Sequence, residues 1–185
     1  MTQQEGGEKM ANEDNQAFIK QWLINKGYNQ SQIAGIMGNL HGESGYDSTV
    51  QYNHQHKEFD VNDGVAVGLA QWAYPSRKQD LLNYANSKGT SVYDLETQLE
   101  FFDKEIDPDL KARMANATVE ESVKMFLYEY ENPENKEEVY LDRVKAGYQA
   151  ISGIGGDVIQ TYSSGAKDPT GSTNYMYGNL NTEIK

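Results

Sequence analysis

A carboxyl group continues the apolar stripe of one predicted helix. Four apolar residues precede it at helical spacing: Ile33, Ile36, Met37 and Leu40. Glu43 follows three positions later, just before Gly45. Burial on that face would raise the pKa of the carboxyl group, and the negative end of the helix dipole would act in the same direction. A carboxyl group that keeps its proton near neutral pH suits general acid catalysis. The alternative is a glutamate at a helix end that faces solvent.

Two strings flank the stretch that follows this helix. They are Gly38-Asn39-Leu40-His41-Gly42-Glu43-Ser44-Gly45-Tyr46 and Val67-Gly68-Leu69-Ala70-Gln71-Trp72. Glu-Ser at a helix end, with Gly-Leu-x-Gln about 25 residues later, resembles the active-site signature of goose-type lysozymes and soluble lytic transglycosylases. The fuller strings resemble the phage tail lysozyme family more closely. Tyr84-Ala85-Asn86 and Tyr130-Glu131-Asn132-Pro133 agree with that family too, and the resemblance covers about residues 14–150.

The resemblance implies a lysozyme-like fold of the α+β class, mainly α, with Glu43 as the catalytic acid. It also implies that Ser44 orients the site, that Gly68 lets the backbone approach a sugar closely, and that Gln71 lines the cleft. Three aromatic residues are candidates for stacking on sugar rings: Tyr46, Trp72 and Tyr130. Ser44 has an alternative role as a polar residue at a helix end, and each aromatic residue is equally suited to the core.

The candidate for a second catalytic carboxylate, a base, is Asp63. It lies five residues before Gly68, near the position where goose-type enzymes have an acid proposed to activate water. Asp-Gly is also the commonest dipeptide in tight turns, which gives Asp63 an alternative role. Asp60 and Asp47 are weaker candidates. The loop after the catalytic acid is longer than in the goose-type pattern.

Six helices are predicted around these motifs, from the positions of capping residues, prolines and apolar stripes. Their starts lie near Asp14, Asn29, Pro75, Asp94, Thr118 and Val139. Residues 46–74 lack helical periodicity, and the turn at Asn62-Asp63-Gly64 predicts a small hairpin or loop excursion flanking the active-site cleft. The predicted catalytic domain spans residues 14–151. Residues 1–13 are predicted to be a disordered leader, and residues 152–185 a flexible linker or tail toward a further domain.

Composition narrows the range of functions. The 185 residues have a net charge of −12 and no basic stripe, so nucleic-acid binding is not expected. Cysteine is absent, which excludes disulfides, thiolate metal sites and a cysteine nucleophile. No apolar run approaches the roughly 20 residues of a membrane span. The N-terminus also lacks the apolar run of a signal peptide.

His54-x-His56 is the spacing that most suggests zinc. A catalytic zinc ion normally has three protein ligands, and the sequence contains no His-Glu-x-x-His string. His41 is expected beside the helix end rather than on a metal. Neither a metal nor another cofactor is therefore predicted.

These observations predict an N-acetylmuramidase, a glycoside hydrolase of the lysozyme type that acts on the glycan strands of peptidoglycan. Glu43 would protonate the leaving oxygen of the β-1,4 bond between N-acetylmuramic acid and N-acetylglucosamine. If water is the acceptor, the bond is hydrolysed. If the 6-hydroxyl of the substrate is the acceptor, the enzyme is a lytic transglycosylase with the same site.

Two other classes of function are open. A non-catalytic wall-binding module would keep aromatic residues in the cleft but would need no buried acid. A zinc peptidase would lose activity on chelation. The lack of a signal peptide favours a phage tail component that the particle carries to the extracellular wall, with phage tail proteins as partners. A wall enzyme associated with a conjugation apparatus is the alternative setting.

Overall fold

The computed structural model describes residues 3–51, 58–152 and 154, with side chains from Asn12 onward. This part of the chain is mainly helical, which confirms the predicted fold class. Its helices are α1 Gln3–Asn25, α2 Gln30–Ser44, α3 Pro75–Lys88, α4 Leu95–Glu105, α5 Pro108–Ala115, α6 Val119–Met125, a π-helical turn Phe126–Glu131, and α7 Lys136–Ile151. Apart from Ser152 and Ile154, the predicted linker 152–185 lies outside the described residues.

The ends of α2 follow from local sequence. The Asn29 side chain accepts a hydrogen bond from the backbone N–H of Gln32 (3.0 Å), and the Gln32 side chain accepts one from the N–H of Asn29 (2.8 Å). This capping box satisfies two backbone donors that the helix cannot satisfy itself. At the other end Gly45 adopts the left-handed conformation (φ 61°), which a glycine tolerates without strain. The helix therefore ends directly after Glu43 and Ser44.

Two helices differ from the prediction. α1 begins at Gln3 rather than near Asp14, so the segment predicted as a disordered leader is helical from Gln3 on. Its glutamate, lysine, methionine and alanine residues favour a helix without forming an apolar stripe, which is why periodicity missed it. α5 was not predicted because it has only eight residues. Pro108 in its first turn and the Asp107 cap define its start.

Small residues let α7 approach α2 closely. All of residues 32–40 of α2 are buried, and a Cβ atom added at Gly38 would collide with the backbone carbonyl oxygen of Arg143 on α7. From the α7 side, a Cβ atom at Gly147 would lie 2.7 Å from the carbonyl oxygen of Ala34. A Cβ atom at Gly42 would occupy the space taken by the Arg143 guanidinium group. The glycines of α2 thus bring the Arg143 side chain against the last turn of that helix.

One buried amide side chain binds the excursion over residues 46–74 at two points. Gln98 on α4 accepts a hydrogen bond from the N–H of Leu69 (2.9 Å) and donates to the carbonyl oxygens of Ser48 (2.8 Å) and Val92 (2.7 Å). In its described part the excursion, predicted as a small hairpin or a loop, contains two isolated antiparallel bridges, Gln51 with Val67 and Val67 with Trp72.

Replacing Gly38 with alanine should lower the free energy of unfolding. Alanine normally stabilises a helix interior relative to glycine by up to about 1 kcal/mol. Here the added methyl group must push α7 away, and overpacking of an interior costs about 1–3 kcal/mol. Urea denaturation followed by circular dichroism measures the difference. Lys145→Ala, on the exposed face of α7, is the control and should stay within about 0.5 kcal/mol of wild type. A Gly38→Ala variant as stable as wild type would contradict the close-contact argument.

Candidate active site

Glu43 lies in the last turn of α2 with its carboxyl group largely removed from solvent. Its Oε1 accepts a hydrogen bond from Nη2 of Arg143 at 2.7 Å, and the two side chains are 17% and 9% exposed. Burial raises the pKa of Glu43, while the positive charge of Arg143 acts in the opposite direction and is the weaker effect. The net rise means that Glu43 holds its proton to higher pH than an exposed glutamate does.

A second buried carboxyl group, that of Glu131, faces the same place from the π-helical turn. Glu131 is partly exposed as a residue, but its Oε1 is buried and has no hydrogen-bond partner among the described residues. Burial, and then the charge of Glu43, raise its pKa well above the usual range, although Arg77 and Arg143 lower it. The protonated, neutral form of Glu131 is therefore favoured.

A third carboxyl group, that of Glu105, lies at the end of α4. It accepts hydrogen bonds from the indole nitrogen of Trp72 (2.6 Å), from Nη2 (2.7 Å) and Nε (3.1 Å) of Arg77, and from the hydroxyl group of Tyr130. Four elements are tied together at this point: the excursion, α3, α4 and the π-helical turn. Such charge-assisted bonds fix the Arg77 side chain against the end of α4.

The three carboxyl groups and two guanidinium groups form one interacting set, hereafter the carboxyl–guanidinium row. Its order is Glu105, Arg77, Glu131, Arg143 and Glu43, by the hydrogen bonds of the outer pairs and the electrostatic interactions of Glu131 with all four other groups. Two ion pairs balance two of the carboxylates. The remaining carboxyl group has no cation of its own, and an unpaired buried charge is costly, so the row favours retention of one proton.

Arg143, Glu105 and the carboxyl group of Glu131 were not predicted from the sequence. Glu131 lies in the string Tyr130-Glu131-Asn132-Pro133, in which only the tyrosine ring was predicted to contact a substrate. An acidic residue that ends an apolar helix just before a proline is the sequence feature that could have indicated it. Arg143 is 100 positions from Glu43 in the chain, and no local pattern connects them.

The aromatic residues predicted to stack on sugars lie mainly in the core. Trp72 has no exposed surface, and Tyr46 is 3% exposed with its ring edge against His41. Neither ring can offer a face to a sugar unless the core opens. Tyr130 is partly exposed, but the guanidinium group of Arg77 lies over its ring, 4.9 Å from the centroid. In this structure Trp72 and Tyr130 support Glu105 instead.

The remaining residues of the motif pack against the excursion and the helix end. Gly68 has φ 73°, and a Cβ atom there would lie 2.6 Å from the side-chain amide of Gln98. The close approach at Gly68 is thus to a protein side chain. Gln71, also with positive φ (46°), donates from Nε2 to the carbonyl oxygen of Gly68 at 2.9 Å. Ser44 donates to the carbonyl oxygen of Leu40 at 3.1 Å, the alternative role expected for it.

Asp63 forms an ion pair with a buried lysine. Its Oδ1 accepts from Nζ of Lys78 (2.6 Å) and from the N–H of Val65 (2.9 Å), and the Lys78 side chain is only 2% exposed. The carboxylate therefore neutralises a buried ammonium group and also closes the turn. The two weaker candidates, Asp47 and Asp60, accept hydrogen bonds from N–H groups two residues ahead, as turn-forming aspartates do.

Two of the three histidines, His54 and His56, lie outside the described residues. The third, His41, packs beside Tyr46, and burial followed by the charge of Arg143 lowers its pKa. Among residues 3–51 and 58–152, no group of three or more His, Cys, Asp or Glu side chains is arranged to hold a metal ion. No helix in the described part of the chain is long and apolar enough to cross a membrane.

Comparison with known proteins identifies a family and a relative among phage proteins. The family model described as phage tail lysozyme matches residues 14–153. Morphogenesis protein 1 of Bacillus phage B103 is 27% identical over an alignment of 132 residues, and the match covers 65% of this chain and 34% of the relative. The chain thus spans about a third of the length of that relative.

The raised pKa of Glu131 predicts how stability depends on pH. Below the ordinary value of 4.5, Glu131 is protonated in both the folded and unfolded chain and has no effect. Above it the unfolded chain releases the proton while the folded chain retains it, so Glu131 lowers the stability of the folded state by an amount that grows as pH rises. Glutamine cannot ionise, so the melting temperature of Glu131→Gln should gain on wild type as pH rises from about 4 to neutral.

Thermal melts of both proteins across this range, at constant ionic strength, measure the effect. The exposed neighbour Glu129 is the control, because its bond to Arg113 outweighs the effect of burial and lowers its pKa. Glu129→Gln should lose stability relative to wild type as pH rises. A constant difference between Glu131→Gln and wild type at all pH values would show that Glu131 titrates normally.

Proposed function

The chain belongs to the phage tail lysozyme family, and from that premise we propose that it is an N-acetylmuramidase. Its substrate is the glycan strand of bacterial peptidoglycan, cut at the β-1,4 bond between N-acetylmuramic acid and N-acetylglucosamine. The observation that supports this proposal most directly is Glu43, a largely buried carboxyl group at a helix end whose pKa burial raises. That is the property a general acid requires.

Glu43 transfers its proton to the glycosidic oxygen as the bond to the anomeric carbon breaks. Positive charge develops on the sugar, and negative charge appears on Glu43. Arg143, whose Nη2 lies 2.7 Å from the Glu43 carboxyl group, stabilises the new carboxylate. Water then adds to the anomeric carbon, and its proton leaves to a base. Hydrolysis yields a reducing end.

Asp63 is the base in this proposal. A base must be ionised, and the ammonium group of Lys78 at 2.6 Å stabilises the negative charge of Asp63. Hydrolysis with inversion requires the two carboxyl groups to be about 6.5–9.5 Å apart, which leaves room for the water. The second candidate is a lytic transglycosylase, in which the substrate's 6-hydroxyl attacks and no second carboxylate is needed. The ion pair between Asp63 and the buried Lys78 favours this alternative, because it gives Asp63 a structural role.

We place the protein on the phage tail, with tail proteins as partners. The named relative is a morphogenesis protein of a phage, and the matching family is that of phage tail lysozymes. The net charge of −12 gives the chain no electrostatic attraction to an anionic cell surface. In this proposal the phage particle brings the enzyme to the extracellular wall, so charge attraction is not needed.

Glu43→Gln should remove activity while preserving the fold. Glutamine keeps the shape and can still accept the hydrogen bond from Arg143, but it has no proton to donate. The expected loss in the rate of turbidity decrease of a purified wall suspension is about a hundred- to ten-thousand-fold. Glu58→Gln replaces an exposed carboxylate and is the control expected to act like wild type. A Glu43→Gln variant with more than about a tenth of wild-type activity would exclude Glu43 as the acid.

Asp63→Asn distinguishes the two reaction types. The substitution leaves the ammonium group of Lys78 without its carboxylate, so we expect a lower melting temperature. Activity is therefore assayed at a temperature well below the melting temperature of the variant. If Asp63 is the base, the rate falls by about a hundredfold or more, and wild-type products carry reducing ends by mass spectrometry. An unchanged rate would exclude Asp63 as the base. Anhydro ends on the wild-type products would identify a transglycosylase.

A further inference from the structure

Two atoms of the carboxyl–guanidinium row are buried without a hydrogen-bond partner among the described residues. They are Nε of Arg143, a donor, and Oε1 of Glu131, an acceptor. The Arg143 side chain uses Nη2 on Glu43, so its Nε remains available. Buried polar atoms are rarely left unpaired, and each exception requires an explanation. A donor and an acceptor left over within one interacting set indicate a second arrangement in which they pair.

The need for that second arrangement follows from the proposed reaction. In the structure Arg143 is bonded to Glu43, an arrangement that favours the carboxylate form of Glu43. A general acid, however, must hold its proton until the glycosidic bond breaks. The reaction therefore requires a state in which Glu43 is protonated and the charge of Arg143 is balanced elsewhere.

We propose, resting on the function proposed above, that Glu131 is a positioning residue that shares one proton with Glu43 and binds Arg143 while Glu43 holds that proton. In one state Glu131 is protonated and Arg143 pairs with the Glu43 carboxylate, as in this structure. In the other, the proton has moved from Glu131 to Glu43, and Nε of Arg143 pairs with Oε1 of Glu131. No charge is gained or lost between the two states.

The surroundings of Glu131 fit this role. The charged groups that act on it electrostatically are Glu43 on α2, Arg77 on α3, Glu105 on α4 and Arg143 on α7. Arg77 is bound to Glu105 by two hydrogen bonds, which leaves Arg143 as the cation that can change partner. Two close carboxyl groups that cannot both ionise share a proton.

The backbone also holds Glu131 in a specific direction. It is the last residue of a π-helical turn, and Asn132 after it has φ 51°, in the left-handed region. π-Helical turns occur mainly as single turns inside α-helices and often at functional sites. Here the turn places the Tyr130 hydroxyl group on Glu105 and the next side chain, Glu131, within the electrostatic influence of Glu43 and Arg143.

The test is the pH dependence of wall cleavage by Glu131→Gln. Without a partner to exchange with, Arg143 stays on Glu43, and Glu43 ionises at lower pH. The alkaline limb of the kcat/KM profile should move to lower pH by about one unit, which is about a tenfold loss at a fixed pH on that limb. The acidic side and KM should remain within about threefold of wild type. Glu131→Asp, which keeps a carboxyl group, should restore the limb at least in part.

Glu129→Gln is the matched control, an exposed neighbour bound to Arg113 outside the row, and its profile should follow wild type. A Glu131→Gln profile that overlays the wild-type profile, or lies below it by the same factor at every pH, would overturn the proposal. A purely structural role of Glu131 would produce that uniform loss.

A second measurement does not depend on activity. In wild-type protein with 13C-labelled glutamate carboxyl groups, Glu43 and Glu131 should each titrate in two steps by NMR. In Glu131→Gln, Glu43 should titrate in one step at lower pH. A single-step titration of Glu43 in wild type would overturn the shared proton. Failure of the proposed function would look different: wild type would not cleave the wall although the two-step titration remained.

Discussion

The site depends on how closely α7 can approach α2. Gly38 and Gly147 permit backbone contact between the two helices, and Gly42 leaves the space that the Arg143 guanidinium group occupies. This contact places a cation 2.7 Å from Glu43, in a region where the surrounding helices exclude most solvent. Larger side chains at these glycines would separate the helices and solvate Glu43. The same packing therefore provides both the burial that raises the pKa of the acid and the cation that limits the rise.

Burial of three carboxyl groups with two guanidinium groups lowers the stability of the fold. Hydrogen bonds offset this loss, and they are more numerous at one end of the row than at the other. Glu105 is the best satisfied, because Trp72, Arg77 and Tyr130 all donate to it. Its role is to fix the excursion and the π-helical turn relative to α4. Toward Glu43 the bonds become fewer, and buried atoms without partners appear. An acid–base site requires such a rigid end at Glu105 and an incompletely bonded end at Glu43. A carboxylate whose oxygens are all paired with donors would bind a proton only weakly.

The sequence predicted what local patterns determine. The capping pair Asn29 and Gln32, the apolar stripe of α2 and the position of Glu43 at its end all follow from residues a few positions apart. The partner of Glu43 is 100 positions away, and its approach depends on glycines whose importance emerges only when two helices are packed together. The aromatic residues could not be assigned from types alone, because Trp72 suits either a sugar or a core and only its zero exposure decides.

Asp63 also shows that a residue's role cannot be assigned from the local sequence when two patterns fit it. Its place before Gly68 suggested a base, and its place in an Asp-Gly pair suggested a turn. The structure adds Lys78, a buried cation that periodicity did not indicate and that requires a carboxylate beside it. One residue can close a turn, neutralise Lys78 and still present an oxygen to water, because a carboxylate has four lone-pair sites. Glu131, by contrast, neither pairs with a lysine nor closes a turn among the described residues. Its carboxyl group faces the guanidinium that Glu43 already uses. The two acids therefore compete for one cation, and that competition determines which of them holds the proton.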